Sequence, residues 1–270
     1  MRGLRSLSLL VGMSLVGAAC GGPEPARPQD SEMTWEEFRA LAYQEPFEGG
    51  KLIVNGDEAF ASEQELKAYY DHHIASDLGR GESGLAIYYL DGDVKWSTTM
   101  ARGLTYCVSS SSFGSRYSTV VSAMASASAA WEAAANVNFI HSSTYDSNCT
   151  ASQTGVVFDV RMVSGQAYLA RAFFPNTSRS GRNILIDSSA FGGIAPLTLT
   201  GLLRHELGHT LGFIHENDRP ESRCGAGSTS YRALTPYDPH SVMHLPCGGL
   251  MTSDHILSSY DRSGASSIYP

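Results

Sequence analysis

Two apolar periods alternate along this 270-residue chain, one of three to four residues and one of short continuous runs. Trp35, Phe38, Leu41 and Ala42 recur at helical spacing, which predicts an amphipathic helix over 32–43. Residues 51–54 predict a short strand that turns at Asn55-Gly56-Asp57. Ser62, with Glu65 three residues later, carries a capping-box signature and opens a helix to about Asp77, followed by a loop over 79–84. From residue 94 the pattern changes. Residues 103–108 read as a strand, 109–115 as a serine-rich loop, and 117–135 as a helix burying Tyr117, Val120, Val121, Met124, Trp131 and Ala135. Apolar runs over 137–140, 156–163 and 167–174 predict strands, 175–181 a turn, and 183–187 another short strand. The last long helix covers roughly 199–211. This order predicts an α/β (α+β) layered domain over 94–270, preceded by a smaller unit over 31–93 that is a prosegment or an accessory domain.

The first residues change the picture of where the chain works. Arg2 and Arg5 precede an apolar stretch over 7–16 and the small residues Gly17-Ala18-Ala19, the makings of a signal peptide over 1–19. Cys20, followed by Gly21-Gly22 and a Pro-rich spacer through Pro28, resembles the lipobox of bacterial lipoproteins, although Gly17 departs from that pattern. Cys20 is therefore a lipidation candidate and 20–30 a lipoprotein-like tether to a membrane, with an ordinary secretory signal as the alternative. Either way the expectation is export from a bacterial cell, as a secreted or an outer-membrane or cell-surface protein. No later apolar run is long enough to cross a membrane.

A formal net charge of −8, with no basic cluster, argues against nucleic acid as a partner. Setting Cys20 aside leaves Cys107, Cys149, Cys224 and Cys247, an even count that suits two disulfides in an exported chain. Three pairings are open; sequence proximity and the strand pattern favour Cys107–Cys149 and Cys224–Cys247. No C-x-x-C pair supports a zinc ribbon.

The chemistry concentrates in His205-Glu206-Leu207-Gly208-His209-Thr210-Leu211-Gly212-Phe213-Ile214-His215. Two histidines four apart on a helix share one face and can grip one ion. Gly212 can end the helix and turn the chain, bringing His215 round as a third ligand. Three ligands leave one position for water, as a catalytic zinc site requires, and Glu206 sits close enough to take a proton from that water.

This extended motif resembles the zinc signature of the metzincin metallopeptidases. Ser241-Val242-Met243-His244 resembles the clan's Met-turn, and Glu216 with Tyr237-Asp238 looks like the astacin side of it. Ala170 to Pro175 looks like the matrixin edge strand. The overall likeness is to the bacterial M57-type (astacin/matrixin-like) peptidases, through L-T-Y-C-V at 104–108, the Trp131 helix, V-N-F at 137–139, and Tyr260-Asp261, Gly264-Ala265 and Ile268-Tyr269. It covers about 94–270. The resemblance implies a zincin catalytic domain with a twisted mixed sheet, a backing helix and an active-site helix. It also implies one catalytic Zn2+ on His205, His209 and His215, Glu206 as general base, and Met243 as the floor beneath the metal. The implied function is a zinc-dependent endopeptidase acting on protein or peptide substrates, which an edge strand (167–174 is the candidate) aligns by strand addition. A non-catalytic zinc-binding surface lipoprotein is the alternative, and the retained Glu206 argues against it.

Astacins place a tyrosine two residues after the Met-turn methionine. This chain has Leu245 there, which leaves the oxyanion to zinc alone or to another tyrosine such as Tyr237 or Tyr260. Asp57 resembles the aspartate that caps zinc in astacin precursors, but a plain turn residue is the preferred reading. His72, His73, His141, His240 and His255 lack ligand spacing and read as surface or packing residues, and His244 as structural. Asn148 and Asn176 lie in N-x-S/T triplets of little weight here. The sequence leaves oligomeric state open.

Overall fold

The computed structural model describes residues 33–73, 85–219, 222, 224, 231–245 and 254–270. The expected signal peptide, Cys20 with its tether, the 79–84 loop and Cys247 lie outside them. The N-terminal part begins with α1 (Trp35–Leu41), whose cap Thr34 exchanges hydrogen bonds with Glu37 in a capping box. It is shorter than the expected 32–43 because Ala42 turns extended and feeds β1 (Tyr43–Gln44). β1, β2 (Leu52–Val54) and β3 (Glu58–Phe60) form an antiparallel sheet. The predicted turn joins β2 to β3, with Asn55 and Gly56 at φ 54° and 103°. α2 (Glu63–His73) follows; Ser62 Oγ accepts from Glu65 N, while the Glu65 carboxylate reaches back to Ala61 N rather than to Ser62 N.

β4 (Ala86–Tyr88) is not legible as a separate element in the sequence, and it pairs with β10 (Tyr231–Ala233). On its other side Ile214 N donates to Ala86 O and Tyr88 N to Gly212 O. Leu85 and Ile87 are fully buried in the main core. Packing thus runs straight across the expected boundary at 93/94.

After α3 (Thr98–Ala101) comes a five-stranded sheet in the order β6-β5-β7-β9-β8, formed by β5 (Leu104–Val108), β6 (Phe139–His141), β7 (Phe158–Val163), β8 (Ala170–Arg171) and β9 (Asn183–Asp187). Only the edge strand β8 runs antiparallel, so the sheet is mixed, as expected. Two expectations fail locally. The serine-rich 109–115 stretch contains α4 (Ser110–Phe113), because Ser109 caps it and Phe113 gives it a buried anchor. The 167–174 strand shrinks to Ala170–Arg171, since only those residues find ladder partners on β9.

α5 (Tyr117–Glu132) and α6 (Leu199–Thr210) cover one sheet face. Strand periodicity sorts the side chains. Val160, Ile184 and Ile186 enter the core with Met124, Trp131 and Leu203, whereas Leu185 points to the opposite face. That outer face carries the N-terminal part, with Ile53 and Ala59 packing on Tyr168 and Leu185. α7 (Ser259–Ile268), also unforeseen, closes the chain behind a Ser258–Asp261 capping box.

Lys51 is buried at this contact, its Nζ donating to Gly181 O at 2.5 Å and Asn183 Oδ1 at 3.3 Å. Burial, with repulsion from Arg171, pushes its ammonium down to about 7 against the pull of Glu45, Asp159 and Glu48. The unfolded chain holds that proton up to 10.5. Between these values the unfolded state binds more protons, so this group makes stability rise with pH and contributes least at pH 7 and below. Lys51→Met is expected to flatten the rise, and melting temperatures of both proteins between pH 7 and 10 check it.

Candidate metal centre

The histidine motif starts on α6, whose Thr198 cap accepts from Gly201 N. The helix ends as its sequence predicts. Gly212 adopts φ 99°, its N–H donates to His209 O, and Phe213 N–H donates to Gly208 O, the Schellman pair. Two further carbonyls at this buried end accept side-chain donors: Thr210 O from Trp96 Nε1 and Leu211 O from the Tyr269 hydroxyl, each at 2.7 Å. A Cβ at Gly212 would collide with Val94 O, so no other residue fits this turn.

Beyond the turn His215 folds back onto the helix. Its Nε2 lies 3.1 Å from His205 Nε2 and 3.2 Å from His209 Nε2. Zinc–nitrogen bonds of about 2.0–2.1 Å in a tetrahedron give edges of about 3.3 Å. The three nitrogens therefore fit one zinc ion. Their tautomers fit too, because His205 Nδ1 donates to Val242 O and His209 Nδ1 to Phe213 O, both at 2.8 Å, which turns each Nε2 lone pair inward. Asp218 stands 3.8 Å from His215 Nδ1.

A fourth vertex comes from the N-terminal part. Asp57 Oδ1 lies 2.9 Å from His215 Nε2 and 3.4 Å from His209 Nε2, and Oδ2 lies 3.3 Å from His205 Nε2. This overturns the turn-residue reading of Asp57: the β2–β3 turn is there, and its third residue sits on the metal site. Burial works to raise the Asp57 carboxyl, but the His215 charge and the close approach of all three histidine rings hold it well below the usual range. Burial pushes His215 down, but Asp57, Glu58 and Asp218 together raise it to about 10. Glu58 and Asn55 extend the contact: Asn55 Nδ2 donates to Glu58, Tyr69 and Asp218.

Glu206 is fully buried, and both carboxylate oxygens lack hydrogen-bond partners among the described residues. Burial, then the Asp57 charge, push its carboxyl well above the ordinary range. Met243 is wholly buried beneath α6, and a Cβ on Gly208 would overlap its Sδ, which assigns that glycine a role the motif alone did not. The Met-turn hangs on Asp261 of α7, which accepts from Ser241 Oγ at 2.6 Å and Val242 N at 2.8 Å. Glu216 joins the third-ligand loop to the same region, accepting from Asp238 N and Arg219. Neither acid was singled out for a positioning role in the sequence, although S-x-x-D at 258–261 is a readable cap signal.

Leu245 lies beside Gly56, next to Asp57: a Cβ on Gly56 would stand 3.8 Å from Leu245 Cδ1. Of the tyrosines considered, Tyr237 binds His244 Nε2 at 2.8 Å and Tyr260 is exposed on α7. His255 is buried with its ring 5.0 Å from that of His205, and His141 holds Asp146, so both pack. Cys107, on β5, forms a disulfide with Cys149. Cys224 is also disulfide-bonded, and its expected partner Cys247 falls outside the described residues.

Residues 95–222 match the family model described as Matrixin. Two solved structures of myroilysin are similar at 17% identity. One has a TM-score of 0.45, covering 68% of this chain and 98% of its own; the other has 0.44, covering 71% and 92%. No curated protein matches the sequence.

Proposed function

We propose, from a metallopeptidase domain of the matrixin family over residues 95–222, that this chain is an exported zinc-dependent endopeptidase held latent by its own N-terminal segment. The observation that carries this reading is the convergence of three histidine Nε2 atoms, with Asp57 as the fourth ligand group and the unpartnered Glu206 carboxylate alongside.

A zinc ion on His205, His209 and His215 supplies Lewis acidity for a scissile carbonyl and lowers the pKa of water towards about 7. The chain's own groups do the rest. Glu206 accepts the proton of the attacking water at a carboxylate oxygen and then delivers it to the leaving amine nitrogen. Val242 O and Phe213 O fix two of the ligand rings, and Met243 supports them from below. Asp57 would hold the ion together with the three histidines and would take the place that a water needs. Export through residues 1–19, with or without lipid on Cys20, belongs to the same reading.

The test is cleavage of casein by the purified chain after limited proteolysis of the N-terminal segment. Chelator is expected to abolish cleavage and added zinc to restore it. Cleavage indifferent to chelator would sink the reading, and a processed, zinc-loaded chain that never cleaves would point to the non-catalytic binding module instead.

A further inference from the structure

The outer face of the five-stranded sheet carries two arginines that the N-terminal segment engages. Arg161 on β7 and Arg171 on β8 are both in register with Leu185 on β9, so the three side chains form one row on one face. Two strand spacings put the arginine Cα atoms about 10 Å apart. Each guanidinium is partly engaged by its own domain. Arg171 gives one terminal nitrogen to Asn183 O and Oδ1, and Arg161 gives Nε to Asp159 at 2.6 Å. In each case two parallel N–H groups remain, the geometry that clasps a carboxylate.

Both clasps are filled by one short stretch, Glu45-Pro46-Phe47-Glu48. Glu45 takes Arg171 Nε and a terminal nitrogen at 2.6 and 2.9 Å, with the Tyr168 hydroxyl at 2.6 Å, and this ion pair is fully buried. Glu48 takes both terminal nitrogens of Arg161 at 2.6 and 2.7 Å, from a left-handed backbone at φ 47°. Between them Phe47 packs onto the cluster of Tyr168 and Leu185. Three residues of chain span at most about 10–11 Å, which matches the separation of the two arginines.

In both clasps the donors belong to the catalytic part and the carboxylate acceptors to the segment. If the segment leaves, two guanidinium forks around an apolar centre face solvent on the outside of the edge strand. We infer that this row is an exosite for protein substrates carrying two carboxylates three residues apart around an aromatic side chain, and that Glu45-Pro46-Phe47-Glu48 is its resident occupant. The inference rests on the reading of the N-terminal segment as removable.

The test separates it from that reading by measuring binding with chelator present, where no catalysis is needed. A fluorescent peptide of residues 43–50 is titrated with the full chain carrying Glu45→Arg and Glu48→Arg, which repels the resident motif. A melting curve verifies the fold, and wild-type chain stripped of its segment by limited proteolysis replaces the variant if it fails to fold. The acidic peptide is expected to bind at least about tenfold tighter than its double-glutamine version, a difference that Arg171→Met erases. On processed enzyme the same peptide slows cleavage of an acidic-tract casein but not of a short neutral peptide. Equal binding of the two peptides, no binding to a folded chain, or equal inhibition of both substrates overturns the exosite. An uncleaved casein in every preparation instead counts against the peptidase reading, while the binding titration still decides the row.

Discussion

Glu206→Gln is expected to lower peptide-bond cleavage by about 10³-fold, within the 10²–10⁴ span of a lost general base, and to leave the metal content unchanged. The substitution keeps the side chain's shape and removes its ability to accept a proton. Glu206 has no structural partner to lose, since both oxygens are buried without hydrogen bonds among the described residues. It is also not among the groups that converge as metal ligands, which are Asp57, His205, His209 and His215. Activity and metal content should therefore separate: Glu206→Gln loses rate and keeps metal, whereas His205→Ala loses both. Cleavage of casein by processed protein, with metal content read by elemental analysis, makes the comparison. A Glu206→Gln rate within tenfold of wild type would remove this residue from the chemistry.

How much of this was legible in the sequence depends on how local each feature is. The histidine triad is compressed into eleven residues, and its geometry follows from helical period plus a glycine-permitted turn, so spacing alone brought the ligands together. The long apolar strands of the sheet and α5 were readable for the same reason. The failures are non-local or small. β4 and β10 are three residues each and exist because they pair with each other, β4 also bridging to the turn after α6. α7 has a weak apolar pattern, and its cap was the overlooked signal. In 167–174 the apolar run marked burial rather than pairing: Phe173 and Phe174 are core residues without ladder partners, and Arg171, which apolarity ignores, is among the largest fully buried side chains. Asp57 is the sharpest case. A turn signal described its backbone correctly, but nothing within reach of periodicity brings that turn onto histidines in the last third of the chain.

Asp57→Ala is expected to give unprocessed, full-length chain roughly 10²-fold more activity than the wild-type chain before segment removal, equivalent to weakening the closed state by about 3 kcal/mol. Among the described residues, Asp57 is the one segment residue that converges with the three histidines, so its removal is expected to open one position for water while His205 and His209 stay fixed by Val242 O and Phe213 O. The gain should stop short of the processed enzyme. Phe38, Leu66 and Tyr69 pack in one core with Phe174 and Ile214, and Glu45 and Glu48 hold Arg171 and Arg161, so the segment still covers the site without its aspartate. Adding Glu45→Ala removes a buried partner from Arg171, a loss of about 3–5 kcal/mol in comparable pairs, and should carry the rate further towards the processed value. Initial rates on casein, with gels confirming that the segment remains attached, distinguish opening from processing. If Asp57→Ala leaves the full-length chain as silent as wild type while processed protein is active, steric cover by the segment maintains latency and the aspartate does not.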